Sequence, residues 1–306
     1  MRFMMLFVPV LYAFLYTTSV ASAEHSTIVY TRAFADDDYG GYETKILAAI
    51  INATPEYGTT KLMPHHHPMP QGRQVISLIQ GEADVMWSMT SKERESLLIP
   101  IRLPLTMGFA GYRALVIKNT AQPLFPKNLS TDQLKQRTFV QGSDWPDLAI
   151  LKANGFNVHG ETWSLWFSSM FSMVEKHLVD AFPRNIIEIS KDIRRHKKRQ
   201  VSIDKYHLLY YPAYEYFFVR PDQPQLANRI RIGLARLLES GMLESLFNEH
   251  QGHAKAMAFI NDPARVTHKL VNPLLPYELE YARWDLKTEQ AILALRHNVN
   301  DEFTPP

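Results

Sequence analysis

The chain has 306 residues, of which 46% are hydrophobic and 21% are charged, a composition that excludes a disordered or fibrous protein. It carries 33 basic and 31 acidic side chains, and this balance argues against a nucleic-acid partner, which proteins bind through an excess of basic groups. The sequence contains no cysteine, which excludes disulfide bonds, thiolate metal sites, iron–sulfur clusters and a cysteine nucleophile.

The amino-terminal segment has the pattern of a secretory signal peptide. Arg2 precedes the apolar run Phe3–Tyr16, and the small residues Ala21–Ala23 form the predicted cleavage site. The alternative is a membrane anchor, but the run is short for a span of roughly 20 residues and contains Pro9. We therefore expect the signal peptide, residues 1–23, to be removed, which predicts a periplasmic protein that is not embedded in the membrane.

Beyond the signal peptide, strand-like segments alternate with segments of helical periodicity, which predicts an α/β fold. The first predicted elements are a strand over 26–32, a helix over 43–52, a strand over 60–63, a helix from Arg73 and a strand over 83–87. Later elements are a short strand over 138–140, a helix over 145–154 capped by Asp144, a helix over about 164–176 and a strand over 178–182.

Two segments divide these elements into domains. The apolar strand Gly111–Lys118 predicts a crossing into a second domain, and the aromatic strand Tyr214–Val219 predicts the return. Lobe 1 is expected to comprise residues 24–117 and 214–250, and lobe 2 to be an insertion of residues 118–213. Residues 251–306 form a C-terminal extension of unknown role, in which Val271–Pro276 predicts an extended strap.

Several segments occur in an order and spacing typical of one protein family. They are Arg73–Val85, Thr90–Arg94, Ile101–Leu105, Leu178–Phe182 and Gln225–Asn228 with Gly241. Together they resemble the type II periplasmic solute-binding proteins of the amino-acid transporter class, known as family 3. The similarity covers roughly residues 26–250 and is greatest with an uncharacterised branch that carries Gln141–Asp147 and Phe182–Arg184.

This resemblance implies two lobes joined by a hinge of two crossing strands, a small solute in the cleft, and closure on binding. It also implies delivery of the solute to the permease of an ABC transporter or to a sensor, without a cofactor. In the amino-acid binders of the family, the arginine that matches Arg94 holds the ligand carboxylate. An acidic residue after the second-lobe strand holds the ammonium, and in this sequence that position falls near Asn185.

Three arginines are candidate ligand-binding residues. Arg94 presents a planar fork that fits a carboxylate, although a surface arginine paired with Glu93 or Glu95 is the alternative. Arg113 and Arg184 lie beside strands near the crossing or the cleft, where a hinge ion pair is the alternative. If two of the three face the cleft, an anionic or zwitterionic, amino-acid-like ligand is expected, because an unpaired buried guanidinium is costly.

Polar and aromatic residues complete the predicted site. Gln141 and Ser143 precede a helix N-terminus, where free amides favour an anion, although simple helix capping explains the same pattern. Tyr39, Trp87 and Trp145 lie on loops or strand ends and are suited to cover a flat or apolar part of a ligand. For these aromatic residues, core packing is the alternative.

Two other functions compete with solute capture. His65, His66 and His67 lie in a Met- and Pro-rich loop where copper or zinc binding is an alternative to a plain polar loop. The sequence contains no Gly-x-Ser-x-Gly, His-Glu-x-x-His, phosphate-loop or dinucleotide motif. We therefore predict that the protein is not an enzyme, and a hydrolase-like activity is the least favoured alternative.

Overall fold

A computed structural model describes residues 26–35, 39–162 and 167–275 of the chain. The predicted signal peptide and the extension from residue 276 onward lie outside these ranges. Within them, every helix is too short or too polar to cross a membrane.

The elements follow one another in α/β order. The first part forms β1 (Ser26–Tyr30), α1 (Gly41–Asn52), β2 (Thr60–Pro64), α2 (Gln71–Ile79), β3 (Val85–Met89), α3 (Lys92–Leu97) and β4 (Ile99–Ile101). The middle part forms β5 (Tyr112–Lys118), α4 (Thr131–Lys135), β6 (Thr138–Gly142), α5 (Pro146–Ala153), β7 (Asn157–Glu161), α6 (Ser168–Glu175), β8 (Ala181–Asn185), α7 (Ile189–Arg195) and β9 (Val201–Tyr210). The last part forms β10 (Glu215–Val219), α8 (Pro224–Glu239), α9 (Met242–Glu249), α10 (Gln251–Asn261) and β11 (Val266–Lys269).

These strands form two separate sheets. One has five strands in the order β2-β1-β3-β10-β4, and the other has six in the order β11-β9-β5-β8-β6-β7. In the first sheet, β10 is antiparallel to both β3 and β4, so the returning chain completes a sheet that the first part began. The two sheets form two α/β lobes, as the sequence predicts.

The core of the first lobe follows the predicted helical stripe. Ile46, Leu47 and Ile50 of α1 are fully buried, and they belong to one cluster with Leu234 of α8 and Phe217 of β10. Their spacing places these side chains on one face of the helix, where burial of each stabilises the lobe by roughly 1.5–3 kcal/mol. This packing holds the N-terminus of α1 in place at the edge of the lobe.

Strand β5 belongs entirely to the six-stranded sheet. It pairs antiparallel with β8 and with β9, and Ala114–Ile117 at its centre are fully buried. Residues up to 117 were predicted to belong to lobe 1, whereas the strand pairing places residues 112–117 in the second sheet. The segments that pass between the sheets are residues 102–111 and 211–214. The exact lobe limits stay a prediction.

The C-terminal extension adds to the second sheet and then crosses the hinge. Strand β11 pairs parallel with β9. Beyond it, the Asn272 side chain donates a hydrogen bond to the Pro212 carbonyl at 2.7 Å, and the Lys92 amide of the first lobe donates to the Leu274 carbonyl at 2.8 Å. The strap therefore contacts the 211–214 connection and both lobes.

Candidate functional site

A cavity of about 830 Å³ lies between the two sheets. The first lobe contributes Glu43 from α1 and Trp87 from β3, and the second contributes Arg113 from β5 and Arg184 from β8. Residues of α10, which follows the predicted lobe boundary, also line it. The cavity therefore lies at the junction of the lobes, where two-domain proteins bind small molecules.

The cavity contains most of the predicted ligand-binding residues. Those that line it are Tyr39, Trp87, Arg113, Gln141, Trp145 and Arg184, whereas Arg94 and Ser143 do not. Lining a cavity is not contact with a ligand, so their binding role stays a prediction.

Arg94 does not line the cavity, but it is hydrogen-bonded to three residues that do. Its guanidinium donates hydrogen bonds to the Ser88 hydroxyl, to the Gln71 side-chain oxygen at 2.9 Å and to the Met89 carbonyl at 2.7 Å. Burial lowers the pKa of Arg94 to about 10. Among the described residues it has no carboxylate partner, so the suggested pairing with Glu93 or Glu95 is absent from this part of the chain.

Arg113 faces the cavity, but its charge is already neutralised within the second lobe. Its Nε atom donates to the Asp147 carboxylate at 2.6 Å, and Asp147 also accepts a hydrogen bond from the Tyr211 hydroxyl. Burial by itself raises the pKa of Asp147, but the adjacent Arg113 guanidinium outweighs this effect and keeps that pKa below its usual value.

Arg184 is paired in the same way. Its guanidinium bonds Asp192 at 2.7 Å and Glu188 at 2.8 Å, and its central carbon lies 4.3 Å from the centre of the Phe167 ring. Cleft arginines were predicted to indicate an anionic ligand, because a buried guanidinium needs a counter-charge. Since Arg113 and Arg184 both have internal carboxylate partners, that argument for an anionic ligand fails.

The loop before α5 differs from its predicted role. Helix α5 begins at Pro146, and Asp144 does not cap it; the Asp144 carboxylate instead accepts a hydrogen bond at 2.9 Å from the Gly72 amide, in the first turn of α2. This bond joins the two lobes. Gln141 is fully buried and bonded to the Pro183 carbonyl and the Gly142 amide, whereas Ser143 is exposed and does not line the cavity.

The predicted aromatic residues both pack and line the cavity. Trp87 covers Gly40, whose φ of 81° and position allow no side chain, because an added Cβ would lie 2.3 Å from the indole. Trp145 contacts Phe167 edge to face at 5.2 Å, and Tyr39 contacts the same ring at 6.0 Å. Core packing and cavity lining are thus compatible for these side chains.

Two glutamates that the sequence analysis did not select also line the cavity. Glu43 lies in the first turn of α1 and Glu215 is the first residue of β10. Burial, more than any nearby charge, raises the pKa of Glu43 to about 7. Burial and then the charge of Glu43 raise the pKa of Glu215 well above its usual value. Glu215 could have been selected from the sequence, because it is an acidic residue at the start of an otherwise aromatic strand.

His253 of α10 and Thr106 line the same cavity and were also missed. Each is 2% exposed. The Nδ1 atom of His253 bonds the Phe247 carbonyl at 2.8 Å, and burial lowers the pKa of this imidazole to about 4. The histidine is therefore neutral at pH 7.

The histidine loop has a different geometry from a metal site. The rings of His65 and His66 stack with centres 4.3 Å apart, and the Nδ1 atom of His65 lies 3.0 Å from the His67 carbonyl. Over the described ranges, no cluster of three or more histidine, aspartate or glutamate side chains is placed to hold a metal ion. The metal alternative therefore has no support from the geometry of this loop.

No family model matches the chain, and no curated protein matches it significantly. Solved structures do share its fold. An ancestral arginine-binding protein bound to arginine is 18% identical, with a TM-score of 0.58 over 74% of this chain and 99% of that one.

Two further solved structures widen the comparison. A probable amino-acid ABC transporter extracellular-binding protein from Bacillus subtilis is 13% identical, with a TM-score of 0.55 over 76% of this chain and 100% of that one. A histidine kinase sensor domain with similarity to periplasmic binding proteins is 16% identical, with a TM-score of 0.57 over 74% of this chain and 97% of that one. This chain therefore has the two-lobed fold of the periplasmic binding proteins, as the sequence predicts.

Proposed function

We propose that this protein captures a small, amino-acid-like solute between its two lobes and presents it to a membrane permease or to a sensor. The observation that carries this proposal is the cavity of about 830 Å³ between the two sheets, lined by polar and aromatic side chains from both lobes. A cavity of this size accommodates a solute of amino-acid dimensions.

Closure of the lobes around the solute is part of the proposal. The sheets are connected by the short segments 102–111 and 211–214, which allow a hinge motion. The bond from the Gly72 amide to Asp144 joins the lobes across the cleft and would have to break for the cleft to open. A solute that contacts both lobes stabilises the closed arrangement.

Export to the periplasm completes the proposed function. The predicted signal peptide supports export, and one structural neighbour is described as an extracellular-binding protein. The neighbours named above are binding proteins and a sensor domain, which supports binding without turnover. A permease and a sensor would be distinguished by identifying which membrane protein binds the solute-loaded chain.

A thermal-shift screen tests the proposal. The chain from Glu24 is unfolded and refolded to remove carried solute, then heated with amino acids, amines, organic acids, sugars and metal salts. A true solute at a hundred times its Kd stabilises the folded state by about 2.7 kcal/mol, and we expect the melting temperature to rise by roughly 5 °C or more.

Two variants connect such a shift to the cavity. Trp87→Leu, in the cavity wall, is expected to reduce the shift, whereas Ser143→Ala, on the exposed side, is the control and should leave it unchanged. If no class of solute stabilises the protein, solute capture is wrong. An equal shift in wild type and Trp87→Leu would place the solute outside this cavity.

A further inference from the structure

The charged groups of the cavity form two sets with different internal pairing. Arg113 and Arg184 have carboxylate partners within the second lobe. Glu43 and Glu215 face the same cavity, and neither forms an ion pair with any residue in the described part of the chain. The acidic side of the cavity therefore carries two carboxyl groups without an internal counter-charge, and a cation from outside would favour their ionised form.

The two glutamates are held by neighbouring backbone. The Glu215 carbonyl accepts the Leu105 amide at 2.9 Å, and the Leu105 carbonyl accepts the Tyr42 hydroxyl at 2.8 Å. Tyr42 directly precedes Glu43 in α1 and is 3% exposed. This chain of bonds connects the backbone at Glu215 to the residue before Glu43, so the two segments that carry the glutamates are held together before a ligand arrives.

Two buried acceptors lie beside this acidic pair. The hydroxyl of Thr106, the residue after Leu105, and the Nε2 atom of His253 are both buried without a hydrogen-bond partner among the described residues. The His253 ring packs against Tyr42 with centres 4.5 Å apart. Because Nδ1 faces a carbonyl and carries the proton, Nε2 presents a lone pair, and an unpaired buried acceptor is costly unless a ligand donates to it.

The other charged groups around the glutamates do not replace the missing cation. Glu188 raises the pKa of both Glu43 and Glu215, while Lys191 lowers that of Glu43 and Arg113 lowers that of Glu215. The Lys191 ammonium lies over the Tyr39 ring at 4.8 Å, and Arg113 is bonded to Asp147. Burial is the largest cause for both glutamates, and the net effect is a raised pKa because these neighbouring cations do not offset it.

We propose that Glu43 and Glu215 bind the positively charged group of an organic solute, an ammonium or a guanidinium, with His253 and Thr106 accepting further N–H bonds. This inference rests on the proposed function and names its substrate class. Both groups are pure hydrogen-bond donors, which matches two carboxylates and two uncharged acceptors. An anion at the same place would oppose the ionisation of both carboxyl groups.

Isothermal titration calorimetry with the refolded chain tests the inference. The probes are agmatine, putrescine, L-lysine and L-arginine as cations, L-glutamine as a neutral solute, succinate as an anion and calcium chloride as a metal salt. We expect at least one organic cation to bind at pH 8. Glu43→Gln and Glu215→Gln should each weaken that binding roughly ten-fold or more, because each removes a charged hydrogen-bond acceptor.

Control variants separate a binding role from a folding role. Glu244→Gln makes the same change at an exposed residue of α9 that does not line the cavity, and it should leave affinity unchanged. Thr106→Val keeps the side-chain shape, removes the hydroxyl acceptor and should weaken binding several-fold, even if a glutamine variant does not fold.

The remaining outcomes contradict the inference in different ways. If only succinate, glutamine or calcium binds, solute capture stands and the cationic class is wrong. Cation binding that is equal in wild type and in both glutamine variants would place the charged group elsewhere. If no probe of any charge binds and the thermal screen is also silent, the proposed function fails together with this inference.

Discussion

The two charged walls of the cavity differ in where their counter-charges lie. On the second-lobe wall, Arg113 and Arg184 are bonded to Asp147 and Asp192 at 2.6 and 2.7 Å, within the same lobe. On the opposite wall, Glu43 and Glu215 have no ion-pair partner in the described ranges. Ion pairs inside the protein fix the shape of a cavity, whereas charges without such a partner are the ones that select a ligand.

The largest expected effect on stability comes from removing one partner of the buried Arg113–Asp147 ion pair. Asp147→Asn leaves the Arg113 guanidinium buried without its counter-charge, which we expect to reduce the free energy of unfolding by about 3–5 kcal/mol. Urea denaturation followed by circular dichroism measures this change. The control is Arg73→Ala, because its pair with Glu82 is exposed and should contribute no more than about 1 kcal/mol. Equal losses in the two variants would mean that the buried pair is not structural.

Most of the fold was predictable because local patterns determine it. The buried stripe Ile46, Leu47 and Ile50 has helical spacing, and the apolar run Ala114–Ile117 is typical of a central strand. The sequence does not show that this strand pairs in the second sheet, because an apolar run indicates burial but not which sheet buries it. The connections at 102–111 and 211–214 have no comparable pattern.

The site was less predictable because its decisive contacts join residues distant in sequence. Arg113 pairs with Asp147, 34 residues later, and Asp144 bonds Gly72 in the other lobe, 72 residues earlier. A single sequence shows an arginine but not the carboxylate that neutralises it. Glu215 had a local signal, an acid in an aromatic strand, whereas His253 lies in the extension that the family resemblance does not reach.

Substitution of a glutamate in the acidic wall should raise the free energy of unfolding, whereas Asp147→Asn in the other wall should lower it. Burial raises the pKa of Glu43 to about 7 from an unfolded value of 4.5, so the ligand-free protein loses stability as the pH rises through this interval. Glu43→Gln removes the titration and is expected to raise the free energy of unfolding by roughly 1–3 kcal/mol at pH 8, with no gain below pH 4.5. Thermal melts from pH 4 to pH 8 without ligand measure this gain.

The control for this experiment is Glu249→Gln, since Glu249 is exposed at the cavity rim. Its melting temperature should follow that of the wild type at every pH. A Glu43→Gln protein less stable than the wild type at pH 8 would show that the Glu43 carboxylate has a stabilising partner in the folded protein. The two walls would then not differ in internal pairing, because Glu43 would have a partner as Arg113 and Arg184 do.

The smallest expected effect concerns the contact that brings the two walls together. The bond from the Gly72 amide to Asp144 is a hydrogen bond to a charged acceptor at a helix N-terminus, and it joins the two lobes. Asp144→Ala should therefore shift the population toward the open form and weaken solute binding about five-fold, with little change in the free energy of unfolding of either lobe. The adjacent Ser143→Ala is the matched control, because Ser143 is exposed and its backbone amide bonds Glu161 in the same lobe. Calorimetry on both variants measures the affinity for the solute. Equal affinities would mean that the Gly72–Asp144 bond does not contribute to closure, and that contacts with the solute alone hold the two lobes together.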